Sequence, residues 1–279
     1  MKRYSGGPMI HPSAIIDPQA KLAESVDVGP YALIGPNVEI GEGTRILPHA
    51  VLDGYTKIGS KCEIGIGVVI GAPPQDKKYA GARSYVRIGD RNVFREYVTI
   101  HRATDPEGVT AIGDDNYLMA NVHVAHNCII GNGVTVVNMV GLSGHITIED
   151  NAVLGGMTAY HQHVRIGAYA MVGGGVGVRM DVVPFALATG EPLRIYGVNR
   201  VGLRRAGFSR DQQKLIKDAF RILFWSGLNV SDALARLKSG PGGKETERII
   251  EFVEKSRRGL TPGLSVSRDD KVWGGEAEE

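Results

Sequence analysis

Six of the eight histidines in this 279-residue chain fall between positions 101 and 163: His101, His123, His126, His145, His161 and His163. An imidazole gains and loses its proton near neutral pH, and its ring nitrogens also bind metals. A histidine-rich segment therefore suits either acid–base chemistry or metal ligation. The run His123-Val-Ala-His126 has a zinc-like spacing only on a helix, where both side chains share a face. His11 and His49 stand apart from the group and read as surface residues.

The elements that must position these imidazoles are set by a six-residue repeat. Aliphatic residues recur every sixth position from Ile10 to Ile70, again at Ile88, Phe94 and Ile100, and from Ile112 to Val178, with Tyr160 taking one slot. Small or branched partners such as Ala20, Ala32, Val38, Thr44 and Val122 follow four residues later. Side chains alternate across a strand, so these two slots face inward, their neighbours face outward, and two residues remain for a corner. Glycine often follows the aliphatic, as at Gly29, Gly35, Gly41 and Gly113, beside corners where a Cβ would crowd the turn. Three such faces make a triangular coil, and coils stack about 4.8 Å apart. The pattern predicts a left-handed parallel β-helix of hexapeptide repeats over residues 1–190. A β-sandwich would space its strands irregularly, at roughly 8–12 residues.

Counting faces in threes places the strands of Ile70, Ile100, Val124, Leu142 and Tyr160 on one stacked face. His101 and His161 then project outward from it, and His126, His145 and His163 lie at its downstream corner, with His123 on the approach. Two gaps, 71–87 and 101–111, interrupt the frame without breaking its phase, so they read as loops extruded from a corner. The first leaves from the histidine corner and can fold over it.

After Pro184 the periodicity turns helical. Ser209 and Gln212 form a capping box ahead of Leu215, Ala219 and Ile222, and amphipathic stretches follow around Leu234 and Leu237, then Ile249, Phe252 and Val253, ending at Gly259. This predicts a C-terminal α-helical domain over 191–260 and a flexible polar tail over 261–279. The 32 Lys and Arg against 30 Asp and Glu argue against a nucleic-acid-binding surface. Two cysteines, Cys62 and Cys128, lack metal-type spacing and fit a reducing cytoplasm. The N-terminus has no apolar signal-peptide run, and no stretch approaches about 18 apolar residues, so neither export nor a transmembrane segment is expected.

Segments QDKKYAG (75–81), VTIHRAT (98–104), NVHVAHNC (121–128), LSGHITI (142–148), GGMTAYHQ (155–162) and GVNRVGLRRAGFSR (197–210) resemble the UDP-N-acetylglucosamine O-acyltransferase family of lipid A biosynthesis. The resemblance implies a homotrimer with sites between adjacent subunits. Each site would move a 3-hydroxyacyl chain from acyl carrier protein to the 3-position of a UDP-sugar, without cofactor or metal. It also assigns roles. His126 is the general base, and the Gly144 amide polarises the thioester carbonyl. His101, His123, His145 and His161 position substrate, Asp76 and Lys78 hold the sugar, and Gln162, Asn199 and Arg205 contact the nucleotide. Gly174 and Pro192 border the acyl groove.

Three residues depart from the family pattern. Asn127 stands where an Asp accompanies the base, Val201 replaces a polar nucleotide contact, and Pro192 replaces a histidine at the distal groove. Some relatives acylate a 3-amino sugar, an easier nucleophile with which Asn127 is compatible. Other readings are the later UDP-glucosamine N-acyltransferase, against which the GFSR-containing region argues, a metal-binding β-helix like the γ-class carbonic anhydrases, and a noncatalytic scaffold. The resemblance places Gly174 where a bulky side chain in some relatives closes the groove. With hydrogen there the groove stays open, and each further buried methylene contributes about 0.8 kcal/mol. A donor of about twelve carbons or more should be preferred, and Gly174→Met should shift preference to shorter donors in a competition assay. Equal preference in both proteins would show that the groove does not pass this residue.

Overall fold

The computed structural model describes residues 9–264. From Ile15 to Val178 the backbone forms short strands, most of them two residues long, each closing on an aliphatic of the six-residue frame except where a loop or bulge follows. They stack into three sheets. Face 1 takes every third strand from Ile15–Ile16 to Gly177–Val178, face 2 runs from Lys21–Leu22 to Arg165–Ile166, and face 3 runs from Asp27–Val28 through Met171–Val172 to Ala186–Thr189. On face 1 the register sets Leu52 on Ile70, Ile70 on Ile100, Ile100 on Val124, Val124 on Leu142 and Leu142 on Tyr160. The predicted histidine face is therefore one continuous sheet. Inward residues such as Ile34, Val38, Cys128 and Leu142 are buried, whereas Ile10 in the first described coil is exposed.

The corners differ from the sequence expectation. Three residues after the aliphatic the chain enters the left-handed region, near φ 60°, and this place is held mostly by larger residues, among them Tyr31, Lys61, Asn127 and His145. A non-glycine residue there costs about 1 kcal/mol, offset by hydrogen bonds between coils, such as His145 N–H to His126 C=O at 3.0 Å. The frequent glycine sits two positions earlier. A Cβ on Gly41 would lie 2.7 Å from the carbonyl carbon of Gly59 in the next coil. Glycine marks the close approach of coils rather than the turn.

Both loops are narrower than the sequence gaps. Val69–Ala72 and Tyr85–Ile88 are strands, as are Thr99–His101 and Val109–Ile112, leaving excursions of 73–84 and 102–108. Tyr85–Ile88 pairs in full with Tyr55–Ile58 and with Val109–Ile112, so backbone pairing claims residues whose side chains break the frame. Gly71, at φ 84°, lets the first loop leave where a Cβ would strike the Asp53 carbonyl. Arg102 clamps the loop base, donating from Nη1 to the Gly71 carbonyl (2.8 Å) and from Nη2 to the Tyr79 hydroxyl (3.1 Å).

Beyond Pro184 the chain does not become helical at once. Ala186–Thr189 extends face 3, and Arg194–Val198 pairs antiparallel with it, so sheet continues past residue 190. Four helices follow: α1 (Arg200–Arg205), α2 (Arg210–Trp225), α3 (Val230–Ser239) and α4 (Lys244–Glu254). The short α1 precedes the helical stretches expected from the sequence. The Ser209–Gln212 capping box is present, with bonds of 2.9 and 3.2 Å. Helix α2 buries Ile216, Ala219, Phe220 and Leu223, a face rotated by one residue from the one anchored on Leu215 and Ile222. Helix α4 stops at Glu254, ahead of Gly259. Residues 261–264 are tied down rather than free: Thr261 N–H donates to the Asp181 carbonyl (2.8 Å) and Leu264 N–H to that of Ile195 (2.9 Å). The rest of the expected tail, 265–279, lies outside the described residues. Among the described residues no helix is long and apolar enough to cross a membrane.

Asp181 joins the β-helix to this last segment. Its fully buried carboxylate accepts from Arg165 N–H (2.8 Å) and from the Ser256 hydroxyl (2.7 Å). Burial pushes its pKa up, against the pull of those two bonds. The folded protein then holds this proton more tightly than the unfolded chain does. The associated stability is full below the ordinary carboxylate value and is lost as pH rises through the raised one. Asp181→Asn keeps an oxygen for Arg165 and removes the ionisation. Its thermal midpoint should exceed the native one at neutral pH, the gap closing towards about pH 4; a lower midpoint at neutral pH would refute this account.

Candidate active site

Both loops leave from the corner between face 1 and face 2, where 125–128, 143–146 and 161–164 stack in consecutive coils. The loops roof a cleft of about 510 Å³ lined by Asp76, Lys78, Thr104, Asp105, His126, His145, Gln162 and His163. A separate cleft of about 480 Å³ on face 2, around Lys21, Tyr55, Arg83 and Tyr85, holds none of the candidate residues. Among the described residues no group of three or more His, Cys, Asp or Glu is placed to hold a metal ion.

His126 is buried although it occupies a corner slot, because the loops cover it. Its Nδ1 lies 3.0 Å from Asn127 Oδ1, and its Nε2 faces Asp76 Oδ2 at 3.9 Å. The neighbours of Asn127 decide which way its amide points. Thr104 N–H, which can only donate, lies 3.1 Å from Oδ1, and an Asp105 carboxylate oxygen lies 3.1 Å from Nδ2. The oxygen therefore faces His126, whose Nδ1 must carry the proton, leaving Nε2 as the acceptor towards the cleft.

Gly144 lies directly against this ring: a Cβ there would come within 2.6 Å of His126 Nε2. Among the described residues nothing accepts from its N–H. The other imidazoles form a connected set. His145 meets His126 edge-on at 5.2 Å between centroids and stacks on His163 at 4.7 Å. Burial, then His163 and His126, hold the His145 pKa below its ordinary value. His101, buried under the first loop, donates from Nδ1 to the Pro73 carbonyl (2.7 Å) and contacts His123 edge-on at 5.2 Å. His123 shares a 2.8 Å hydrogen bond with the Thr99 hydroxyl, and burial followed by its histidine neighbours lowers its pKa. His161 and Gln162 are exposed at the rim. On the first loop Asp76 Oδ1 accepts from Lys78 N–H (2.9 Å), a local turn that aims the carboxylate at His126.

Other sequence candidates lie elsewhere in this chain. Asn199 caps α1, accepting from Gly202 N–H (3.0 Å) and donating to the Tyr169 carbonyl (2.9 Å) at the corner between faces 2 and 3. Arg205 is exposed at the end of the same helix, and Val201 is exposed within it. Gly174 sits at the third corner, between faces 3 and 1, stacked on Gly156; a Cβ there would lie 3.0 Å from the Gly156 carbonyl oxygen. Pro192 is exposed in the hairpin between Ala186–Thr189 and Arg194–Val198. One chain thus distributes its candidates over three corners. Thr104 and Asp105, which the sequence reading passed over, belong to the cleft. The turn-forming run Asp105-Pro106-Glu107-Gly108 was the available signal.

Gly144→Ala should leave the β-helix folded and push the His126 ring aside. Turnover should fall on the order of 100-fold, as a displaced reacting group entails. Native turnover with the ring unmoved in a crystal structure would refute this packing argument.

Known proteins share the fold and much of the sequence. Residues 181–261 match the family model for UDP N-acetylglucosamine O-acyltransferase, domain 2, and residues 110–144 match that for the bacterial transferase hexapeptide repeat. The acyl-[acyl-carrier-protein]–UDP-N-acetylglucosamine O-acyltransferase of Alkalilimnicola ehrlichii is 48% identical over 254 residues, covering 90% of this chain and 98% of that protein. Its Thermodesulfovibrio yellowstonii counterpart is 47% identical over 253 residues, with the same coverages of 90% and 98%. The solved Francisella novicida UDP-N-acetylglucosamine acyltransferase superposes with a TM-score of 0.90 at 36% identity, covering 97% of this chain and all of that one. The Bacteroides fragilis enzyme gives 0.88 at 43% identity, over 90% and 99%. Likeness at this level, end to end in sequence and backbone, means that the chain belongs to the UDP-N-acetylglucosamine O-acyltransferase family of left-handed hexapeptide β-helices.

Proposed function

We propose that this chain transfers a 3-hydroxyacyl group from the thioester of acyl carrier protein to the 3-hydroxyl of UDP-N-acetylglucosamine, the first step of lipid A biosynthesis. The observation that carries the reading is His126, anchored at Nδ1 by Asn127 and presenting Nε2 to a polar cleft against the Gly144 backbone. Nε2 takes the proton of the sugar 3-hydroxyl as that oxygen attacks the thioester carbonyl. Negative charge develops on the carbonyl oxygen, where the Gly144 N–H is the donor at hand. Collapse breaks the C–S bond, and the imidazolium gives its proton to the departing thiolate, releasing the free thiol. Asp76, facing Nε2 across 3.9 Å, stabilises the imidazolium while it lasts. The lowered pKa values keep His123 and His145 neutral and thus suited to hydrogen-bond substrate.

The working unit is a homotrimer in this reading. Outward positions of face 1 are small at Gly141, Ala159 and Gly177, and Gly141 and Gly177 have open space where a Cβ would stand. Along the adjoining corner Tyr97, Met139 and Met157 are 59%, 59% and 69% exposed. A flat strip beside an apolar edge suits close packing of another copy. Such packing brings a neighbour's Gly174, Asn199 and Arg205 towards the His126 cleft, which one chain cannot do. Buried free thiols at Cys62 and Cys128 suit a cytoplasmic protein.

Mass spectrometry of product formed from UDP-N-acetylglucosamine, or its 3-amino analogue, with a panel of 3-hydroxyacyl carrier proteins tests the reading. Monoacylated UDP-N-acetylglucosamine is expected, unaffected by chelator, from a protein that sediments as a trimer. Product from the amino analogue alone would move the acceptor to nitrogen, and loss on chelation would bring back the metal reading. His126→Ala should stay folded and trimeric while losing about 10²–10⁴-fold in turnover. Activity within about threefold of native would remove His126 as the base.

A further inference from the structure

The base is followed by an amide where the family pattern has a carboxylate, and the second loop brings a carboxylate to that amide from outside. Asp105 accepts from Asn127 Nδ2–H at 3.1 Å. Its place is set by a tight turn: Gly108 N–H donates to the Asp105 carbonyl (2.9 Å), with Pro106 inside the turn. The turn is pressed onto Asn127, since a Cβ on Gly108 would lie 3.4 Å from Asn127 Nδ2 and 2.9 Å from the Ala103 Cβ. It is also tied to the first loop, by Glu107 N–H to the Arg83 carbonyl (2.8 Å). Thr104 completes the cradle, its N–H (3.1 Å) and hydroxyl (3.0 Å) both donating to Asn127 Oδ1.

We propose that Asp105 is a positioning residue for acyl transfer: through the Asn127 amide it fixes His126 as the Nδ1–H tautomer and supplies the negative charge that position 127 lacks. The proposal rests on His126 being the base. Without Asp105 only the Thr104 donors set the amide, and a flipped Asn127 would present N–H to His126 and favour the tautomer whose Nε2 carries the proton. Such a tautomer cannot accept the substrate proton. The charged and titratable groups around His126 are Asp76 and Lys78 from the first loop, Asp105 from the second, His123 and His101 on face 1, and His145 and His163 in the following coils. Glu107 is turned away, accepting from the Tyr85 hydroxyl (2.8 Å). The charge of Asp105 reaches the cluster: with Asp76, it pulls the His145 pKa upward against the stronger downward push of burial and neighbouring imidazoles.

The experiment compares native protein, Asp105→Ala, and Asp105→Ala combined with Asn127→Asp. Steady-state kinetics are followed over pH, and NMR of the ¹⁵N-labelled imidazoles reads tautomers, with His126→Ala assigning the His126 signals. Asp105→Ala should lower kcat roughly tenfold, as loss of a charged hydrogen bond does, with KM nearly unchanged. Its acidic limb should move to lower pH, because imidazolium loses a nearby negative charge, and His126 should lose its pure Nδ1–H signature. The double variant, with a carboxylate directly on Nδ1, should recover kcat and carry the acidic limb back to higher pH. Native kcat, limb and tautomer in Asp105→Ala would overturn the proposal, as would a double variant no more active than the single one. The NMR arm needs no substrate. An inactive native protein would defeat the function assigned above, while a tautomer unchanged by Asp105→Ala would defeat this inference alone.

Discussion

The structure depends on the hydrogen bonding of each coil to the next at the spacing of a parallel sheet. Residues 18 apart, such as Leu52 and Ile70, must lie directly over one another, or every inward side chain of the following coil would miss the core. An insertion is tolerated only if it leaves and returns at one corner. The excursions at 73–84 and 102–108 obey this, and Ile70 still pairs with Ile100 and Ile100 with Val124. The same constraint puts bulk on the left-handed corner residue and glycine where coils nearly touch.

A rigid stack turns corners into columns, and the candidate site exploits one. His126, His145 and His163 come from three successive coils, so their ring separations of 5.2 and 4.7 Å approximate the coil spacing itself. The scaffold supplies the imidazoles, and the loops supply what modifies them. The first lowers Asp76 onto His126 Nε2, and the second wraps Asn127 with Thr104 and Asp105. Arg102, beneath the first loop, and the contact of Glu107 with Arg83 bind the loops to the scaffold and to each other. His126 thus meets Asn127 at one ring nitrogen and Asp76 at the other.

The prism also explains why candidates from one chain do not converge. A triangular rod turns its three corners in different directions, so the cleft lies at one of them while Gly174 and Asn199 lie at the other two. Asn199 already has structural work as the cap of α1, the helix that ends at Arg205.

The sequence by itself determined the coil. A repeat of six with two inward slots admits one way of burying its aliphatics, so the faces, their order and the histidine column followed from counting. Local chemistry likewise foretold the Ser209 cap, whose partners are three residues apart. Tertiary structure decided everything that depends on side chains from different coils or on loop conformation. Strand pairing drew 71–72 and 85–87 out of the expected loop, and sheet extension carried the β-helix past Pro184. Packing rotated the buried face of α2 by one residue. Beside the adjacent Asn127, the carboxylates set around His126 came from Asp105 and Asp76, 21 and 50 residues away in sequence, through turns whose direction no periodicity records. Periodicity encodes what repeats, and a loop folded back on a corner is what does not.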